Sequence, residues 1–375
     1  EMPMASVKFV DLQAQYVEHQ DAIEAGIRQV IESGAFILGP PVAELERQLA
    51  DFVGVRHCIT CASGTDALIL GLLAAGIGAG DEVITTPFTW FSSAEVIARV
   101  GATPVFVDVR ADTFCVDPAA IEAAITERTR AILPVSLYGQ MADLTSINAI
   151  ADKHGLAVIE DGAQSFGAKH HGRRSSACSL IGCTSFYPTK VLSCYGDGGA
   201  VFTNDDGIAE KIRIRRIHGQ DAPQHHVALG MNSRFDSVHA AVMLAKFPAF
   251  PAEIDARRRA AAIYDAALAD VCQTPVVAPD NEHVYGVYTL QIDDRDRVLA
   301  ELRARQIPAG VYYPRCVHQQ PIAAELGWPR PVLPVAEALV DRVISLPMHP
   351  YLDEAQIDAV VTALRASLAG QGGAA

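Results

Sequence analysis

The sequence predicts an α/β protein, a mostly parallel sheet with flanking helices, followed by a smaller C-terminal α+β domain. Three observations carry this expectation. Apolar runs of strand length alternate with helical patterns from about residue 7 to residue 247. Several of those runs are solidly apolar rather than alternating, as strands covered on both faces must be. The rhythm then changes at Lys246-Phe247-Pro248-Ala249-Phe250-Pro251, where two prolines three apart disfavour a helix interior and suit a hinge. The expected division is residues 1–247 as the large domain and 248–375 as the small one. It suits a 375-residue chain at roughly 150 residues per domain.

In the first part the strand segments are 57–61, 82–86, 104–108, 131–136, 156–160 and 200–203. The helix over 65–75 is apolar on most faces. Asp117 caps a helix over 119–126, with Pro118 at its first position. A helix over 146–154 stops at Gly155. In the second part a helix over 253–269 leads to a strand at 287–292 and a helix at 295–305. A strand at 310–313, an apolar strand at 343–346 and a last helix at 354–368 follow, and 370–375 reads as a frayed tail.

Composition excludes several classes. Half the residues are apolar and a fifth charged, which is globular composition with material for a large core. The 30 basic and 44 acidic side chains leave a net charge of −14, with no basic stripe for nucleic acid. Arg257-Arg258-Arg259 reads as the solvated face of a mixed helix. No run approaches 18 apolar residues, so no membrane-spanning helix is expected. Glu1-Met2-Pro3-Met4 has no basic region ahead of an apolar run, so no signal peptide is read there. Eight scattered cysteines fit a reducing cytoplasm. Cys58 and Cys61 form a C-x-x-C inside an apolar run with no second pair, which points to packing, and no metal site is expected. His170 and His171 read as surface loop.

Four features carry chemistry. Ser185-Phe186-Tyr187-Pro188-Thr189-Lys190 precedes the glycine-rich turn Gly196-Asp197-Gly198-Gly199. A lysine amine attacks carbonyls only when unprotonated, so it needs desolvation or a neighbouring charge. The strand over 156–160 runs directly into Glu160-Asp161-Gly162-Ala163-Gln164, at the carboxyl edge where open α/β sheets bind ligands. Glu160 and Asp161 face opposite ways in a strand, so only one enters a given pocket. Ala62-Ser63-Gly64-Thr65 feeds a helix N-terminus, whose free N–H groups and positive dipole end suit a phosphate. Thr86-Pro87-Phe88-Thr89-Trp90 sets an aromatic at the same rim. An amine, a carboxylate, a phosphate cradle and an aromatic plate together match one ligand, pyridoxal phosphate.

The same residues carry a resemblance. Gly64-Thr65-Asp66-Ala67-Leu68, Glu160-Asp161-Gly162-Ala163-Gln164-Ser165, Ser185 to Lys190, Gly196 to Ala200 and Asn232-Ser233-Arg234 resemble the DegT/DnrJ/StrS sugar aminotransferases. The resemblance covers nearly the whole chain and implies the type I fold of pyridoxal-phosphate-dependent transferases, shared with aspartate aminotransferase. Val135 to Gln140 and Arg216 to Asp221 look most like the branch that makes UDP-linked 3-amino uronic acids of O-antigens.

The resemblance also implies roles. Lys190 carries the cofactor as a Schiff base, and Asp161 pairs with its ring nitrogen. Gln164 lies near the ring oxygen, Trp90 stacks on the ring, and Gly64, Thr65 and Ser185 hold the phosphate. Asn232 reaches the phosphate from the other subunit of a homodimer. Arg234, Tyr312 and Tyr313 face the sugar or the donor. Relatives in this branch often carry His where Tyr312 stands, so that position departs from the pattern. The expected reaction moves an amino group from L-glutamate to a nucleotide-linked keto-sugar, with UDP-2-acetamido-2-deoxy-3-keto-glucuronate foremost. Two alternatives are a dTDP- or UDP-linked keto-6-deoxy sugar as acceptor and a non-catalytic regulatory protein on the same fold. Dehydrating relatives carry His in the Lys190 slot, and no G-x-G-x-x-G supports a nicotinamide enzyme.

Overall fold

The structure is a computed structural model that describes residues 7–369, so the tail expected at 370–375 lies outside the described residues. The strands of its first half are β1 (His57–Cys61), β2 (Glu82–Thr85), β3 (Thr103–Phe106), β4 (Thr129–Leu133) and β5 (Ala157–Asp161). The short pair β6 (Lys169–His170) and β7 (Arg173–Arg174) follows, then β8 (Ile181–Ser185) and β9 (Gly199–Thr203). Beyond them lie the hairpin β10 (Gln220–Ala222) and β11 (His225–His226), then β12 (Asn281–Glu282), β13 (Tyr288–Gln291) and β14 (Val343–Leu346). Seven form the central sheet in the order β1-β9-β8-β5-β4-β2-β3. Only β9 runs against the others, pairing antiparallel with both β1 and β8. Every residue of β2 and β9 is buried, so both faces of the sheet are covered.

Local chemistry accounts for the helices. Asp11 caps α1 (Leu12–Ser33), accepting from the Ala14 amide, and Gly34 ends it in the left-handed conformation. Pro40 opens α2 (Pro40–Val53), where no amide is needed. Ser63 caps α3 (Gly64–Ala74) by accepting from Asp66 N. Then come α4 (Ser92–Arg99) and α5 (Pro118–Ala123), the latter capped by Asp117. The expected stop at Gly155 ends α6 (Leu144–His154). After α7 (Asp206–Arg216) and α8 (Ser237–Lys246), a single 3₁₀ turn (Phe247–Ala249) leads into α9 (Phe250–Leu268). Pro251 is absorbed in the first turn of α9, so the two prolines bend a helical path instead of breaking it.

Five expectations need correction. The strand expected at 131–136 ends at Leu133, because Pro134 has no N–H for the ladder and only Val135 bridges on, to Asp161. The strand expected at 310–313 reduces to one bridge between Gly310 and Ser345, since Tyr312 and Tyr313 are taken up by other contacts described below. A strand not foreseen, β8, runs into Ser185. Its Gly182 breaks the apolar run, yet a Cβ there would lie 2.3 Å from Ser176 Cα. Arg257 is not solvated: it is buried and donates to the carbonyls of Tyr285 and Met348, both at 3.2 Å. His170 is buried too, within 2.9 Å of Thr145 Oγ1 and 2.7 Å of Asn281 Oδ1, while His171 is exposed.

Buried apolar residues form two clusters. The larger wraps the central sheet and includes Phe250, Ile254, Cys316, Trp328 and Leu339 from beyond residue 247. The smaller joins the end of α9 to β13, β14, α10 (Arg295–Ala304) and the last helix (Glu354–Ala369).

Candidate active site

The carboxyl ends of β5 and β8 and the start of α3 meet at one rim. Asp161 closes β5 and is pinned on both sides of its peptide: its N–H donates to Pro134 O at 2.9 Å, and its carbonyl accepts from Ser136 N at 3.0 Å. The side chain is buried. Its Oδ2 accepts from Ser93 Oγ at 2.7 Å and its Oδ1 from Ala163 N at 3.1 Å. Burial pushes its pKa up, and those two donors and the Lys190 charge oppose the rise. Glu160 turns to the other face, as strand geometry requires. It is held by Ser136 Oγ and Ser175 Oγ, both at 2.8 Å, and by Ser176 N at 2.7 Å.

Lys190 ends the turn after β8, its N–H donating to Tyr187 O at 2.8 Å. The side chain is half-buried. Desolvation lowers its pKa, with the Asp161 charge acting in the opposite sense, so the two groups feel each other across the site. Its Nζ has no hydrogen-bond partner among the described residues.

The cradle is steric as well as polar. A Cβ on Gly64 would stand 2.6 Å from Ser185 Cβ, and one on Gly199 would stand 2.4 Å from Ser63 O. Glycine at both positions lets the first turn of α3, the end of β8 and the start of β9 close together. Ser63 spends its hydroxyl on Asp66 N at 3.0 Å. The amides of Gly64 and Thr65, first in the helix, have no intrahelical acceptor. Ser185 Oγ accepts from Tyr187 N at 3.3 Å and keeps its proton for another partner.

Gln164 is fixed at both ends, accepting from Tyr138 N and donating to Tyr313 Oη, each at 2.8 Å. Trp90 is 62 % exposed, so it is no part of the core, and its ring lies 6.4 Å from that of Tyr313. Tyr312 is tethered by the Tyr138 hydroxyl, which donates to its carbonyl. Asn232 is exposed and Arg234 half-buried, and neither hydrogen-bonds to the residues above. Only Ser233 between them reaches the rim, donating to Asp66 Oδ2 at 2.7 Å. Sequence reasoning missed Ser93 and Tyr138. Ser93 lies in the first turn of α4, after β2, and Tyr138 in the connection after β4, inside the Val135 to Gln140 stretch.

Comparison with known proteins gives the family of the chain. Residues 17–365 match the model of the DegT/DnrJ/EryC1/StrS aminotransferase family. This chain belongs to that family. The aminotransferase is 50% identical to the UDP-2-acetamido-2-deoxy-3-oxo-D-glucuronate aminotransferase of Pseudomonas aeruginosa, over 96% of this chain and 99% of the relative. It is 45% identical to a UDP-N-acetyl-3-dehydro-alpha-D-glucosamine 3-aminotransferase of Acidithiobacillus ferrooxidans, over 97% and 99%. Among solved structures it is similar to Streptomyces venezuelae DesV in complex with a ketimine intermediate, with TM-score 0.94, 40% identity and coverage of 97% and 98%. Aminotransferases of this family use pyridoxal phosphate. The rim fits that group. The glycine-lined cradle leaves amides for a phosphate, and a buried carboxylate has unused acceptor sites opposite an unpartnered lysine.

No helix among the described residues is long and apolar enough to cross a membrane.

Proposed function

We propose that this aminotransferase moves the amino group of L-glutamate to a UDP-linked 3-keto sugar, with UDP-2-acetamido-2-deoxy-3-keto-glucuronate as acceptor. The product is the 3-amino sugar used in O-antigen synthesis. The observation that carries the reading is the convergence of Lys190, Asp161 and the Gly64–Ser185 cradle on one rim. The 50% identical relative supports the choice of acceptor.

Bound at this rim, pyridoxal phosphate supplies an electron sink that lets the carbon bearing an amino group release its proton. Asp161 holds the proton on the ring nitrogen. Lys190 would hold the aldehyde carbon, and its free amine would take and return the migrating proton, a task that its lowered proton affinity serves. Gly64, Thr65 and Ser185 bind the phosphate, Gln164 faces the ring oxygen and Trp90 covers the ring. Arg234, Tyr312 and Tyr313 orient substrate. Burial holds the Tyr313 phenol above its usual range, so it stays a neutral donor.

In this reading the enzyme is a cytoplasmic homodimer in which Asn232 completes the partner's phosphate site. Its eight cysteines are all free thiols, as a reducing compartment keeps them. Leu229 is 93 % exposed, and Phe36, Ile37 and Tyr187 also show apolar surface for a second copy to cover. A half-reaction tests the function. The holoenzyme is converted with glutamate, freed of 2-oxoglutarate and offered keto-sugar nucleotides singly. The uronate should restore the original visible absorbance fastest. Preference for the neutral N-acetylglucosamine analogue would move the assignment, and no response to any acceptor would favour a regulatory protein.

A further inference from the structure

The cleft's carboxylate is held by an arrangement that the reaction scheme leaves unused. Asp161 meets no cation at hydrogen-bonding distance among the described residues. Its only side-chain donor among the described residues is Ser93 Oγ, 2.7 Å from Oδ2. Ser93 is wholly buried in the first turn of α4, and Thr89 Oγ1, also buried, lies 3.0 Å from Ser93 Oγ. A hydroxyl has one proton to give. Ser93 gives its proton to the carboxylate, so Thr89 must give its own to Ser93. The chain of donors therefore runs one way, Thr89 to Ser93 to Asp161, and each step strengthens the next. Thr89 sits on the β2–α4 connection that also presents Trp90, and Ser93 on the helical turn that follows it. This connection is itself pinned, with Phe88 N donating to Thr86 Oγ1 at 3.1 Å and Val317 N to Pro87 O at 2.8 Å.

We infer that Ser93, aligned by Thr89, is a positioning residue that keeps the Asp161 carboxylate ionised and its free edge turned toward a protonated ring nitrogen. This rests on the pyridoxal-phosphate reading of the rim. A protonated Asp161 would offer the ring a donor where an acceptor is needed, so the relay sets how tightly the ring is gripped and over what pH range. The ionisable groups facing Asp161 are few. Cys183 lies on β8, Lys190 on the loop beyond it and Tyr313 on the C-terminal segment, while Glu160 turns to the opposite face. Of these only Lys190 favours the ionised form.

The test is binding of pyridoxal phosphate to full-length apoenzyme between pH 5.5 and 9, for wild type, Ser93→Ala, Thr89→Val, Thr89→Ser and Asp161→Asn. A hydrogen bond to a charged group is worth about a tenfold change or more. Ser93→Ala should weaken binding about tenfold near neutral pH, and the loss of affinity on acidification should begin about one pH unit higher. Thr89→Val should shift both in the same direction by less, and Thr89→Ser should restore them. A side chain that merely packs would weaken binding equally at every pH. Affinity and acid limb unchanged in both Ser93→Ala and Thr89→Val overturn the inference, as does a uniform loss without movement of the limb. If Asp161→Asn also leaves binding and its pH dependence untouched, the carboxylate's own role falls instead.

Discussion

A lysine and a carboxylate facing each other make separable predictions, because each holds a different proton. On the proposed mechanism, Lys190→Ala removes the anchor and the base together. It should lose the visible absorbance of the lysine-bound cofactor and lower 2-oxoglutarate release by at least about a thousandfold, within the range of positioned proton transfer. Full turnover by that variant would remove Lys190 from the mechanism. Asp161→Asn keeps shape and loses charge, so cofactor is retained in part while turnover drops by about a hundredfold or more. An unchanged rate would mean that another acid serves the ring. These two residues are legible in sequence because each stands beside a punctuated motif, an apolar strand ending in Glu160-Asp161-Gly162 and a proline turn ending at Lys190. Ser93 is not legible. It is one small residue in a run of small residues, and its partner lies 68 positions away. Only the sheet order, which places β2 two strands from β5, brings them together.

Among elements, the start of α3 is where local rules and tertiary contact coincide. Ser63 as cap and Gly64 as first residue read as a helix start and a possible anion site. What sequence could not convey is that Gly64 abuts Ser185, at the end of a strand hidden by Gly182. Gly64→Ala should help the helix by intrinsic propensity. The added Cβ must nevertheless push Ser185 away, costing about 1–3 kcal/mol of overpacking strain. The expected outcome is a folded protein whose preference for pyridoxal phosphate over unphosphorylated pyridoxal shrinks at least about tenfold, measured by titration of the apoenzyme. Loss of affinity for both ligands in equal measure would place the phosphate elsewhere. Pattern reading failed for a similar reason at 310–313. Its residues have strand composition, but Tyr312 and Tyr313 are drawn to Tyr138 and Gln164 instead of to a ladder.

For the molecule as a whole, two buried histidines make folding sensitive to acid. Burial lowers His283 to about 3 and His349 to about 4, each helped by a nearby arginine charge. Unfolded, both bind a proton near pH 6.5. The unfolded chain therefore holds more protons below that pH, and stability is lost as pH falls from 6.5 toward the folded values. Each histidine contributes about 1.4 kcal/mol per pH unit to that slope. The midpoint of denaturant unfolding should thus drop steeply below pH 6, and His283→Gln, which can still accept from Tyr285 N, should flatten the drop. Equal slopes in variant and wild type would reject this account. The large sheet, its crossover helices and the rim were legible because they repeat one local pattern. That pattern does not place Asn232, which sits exposed and unbonded to its own chain's site residues. Completion of one site by the other chain follows from that placement only if the enzyme pairs, and hybrids test both together. Lys190→Ala and Asn232→Ala should each be nearly inactive alone. Mixed after dissociation, about half of the dimers are hybrids, and each hybrid has one site with both defects and one with neither. Activity should recover to about a quarter of wild type. No recovery, from chains shown to exchange, would mean that Asn232 serves its own subunit.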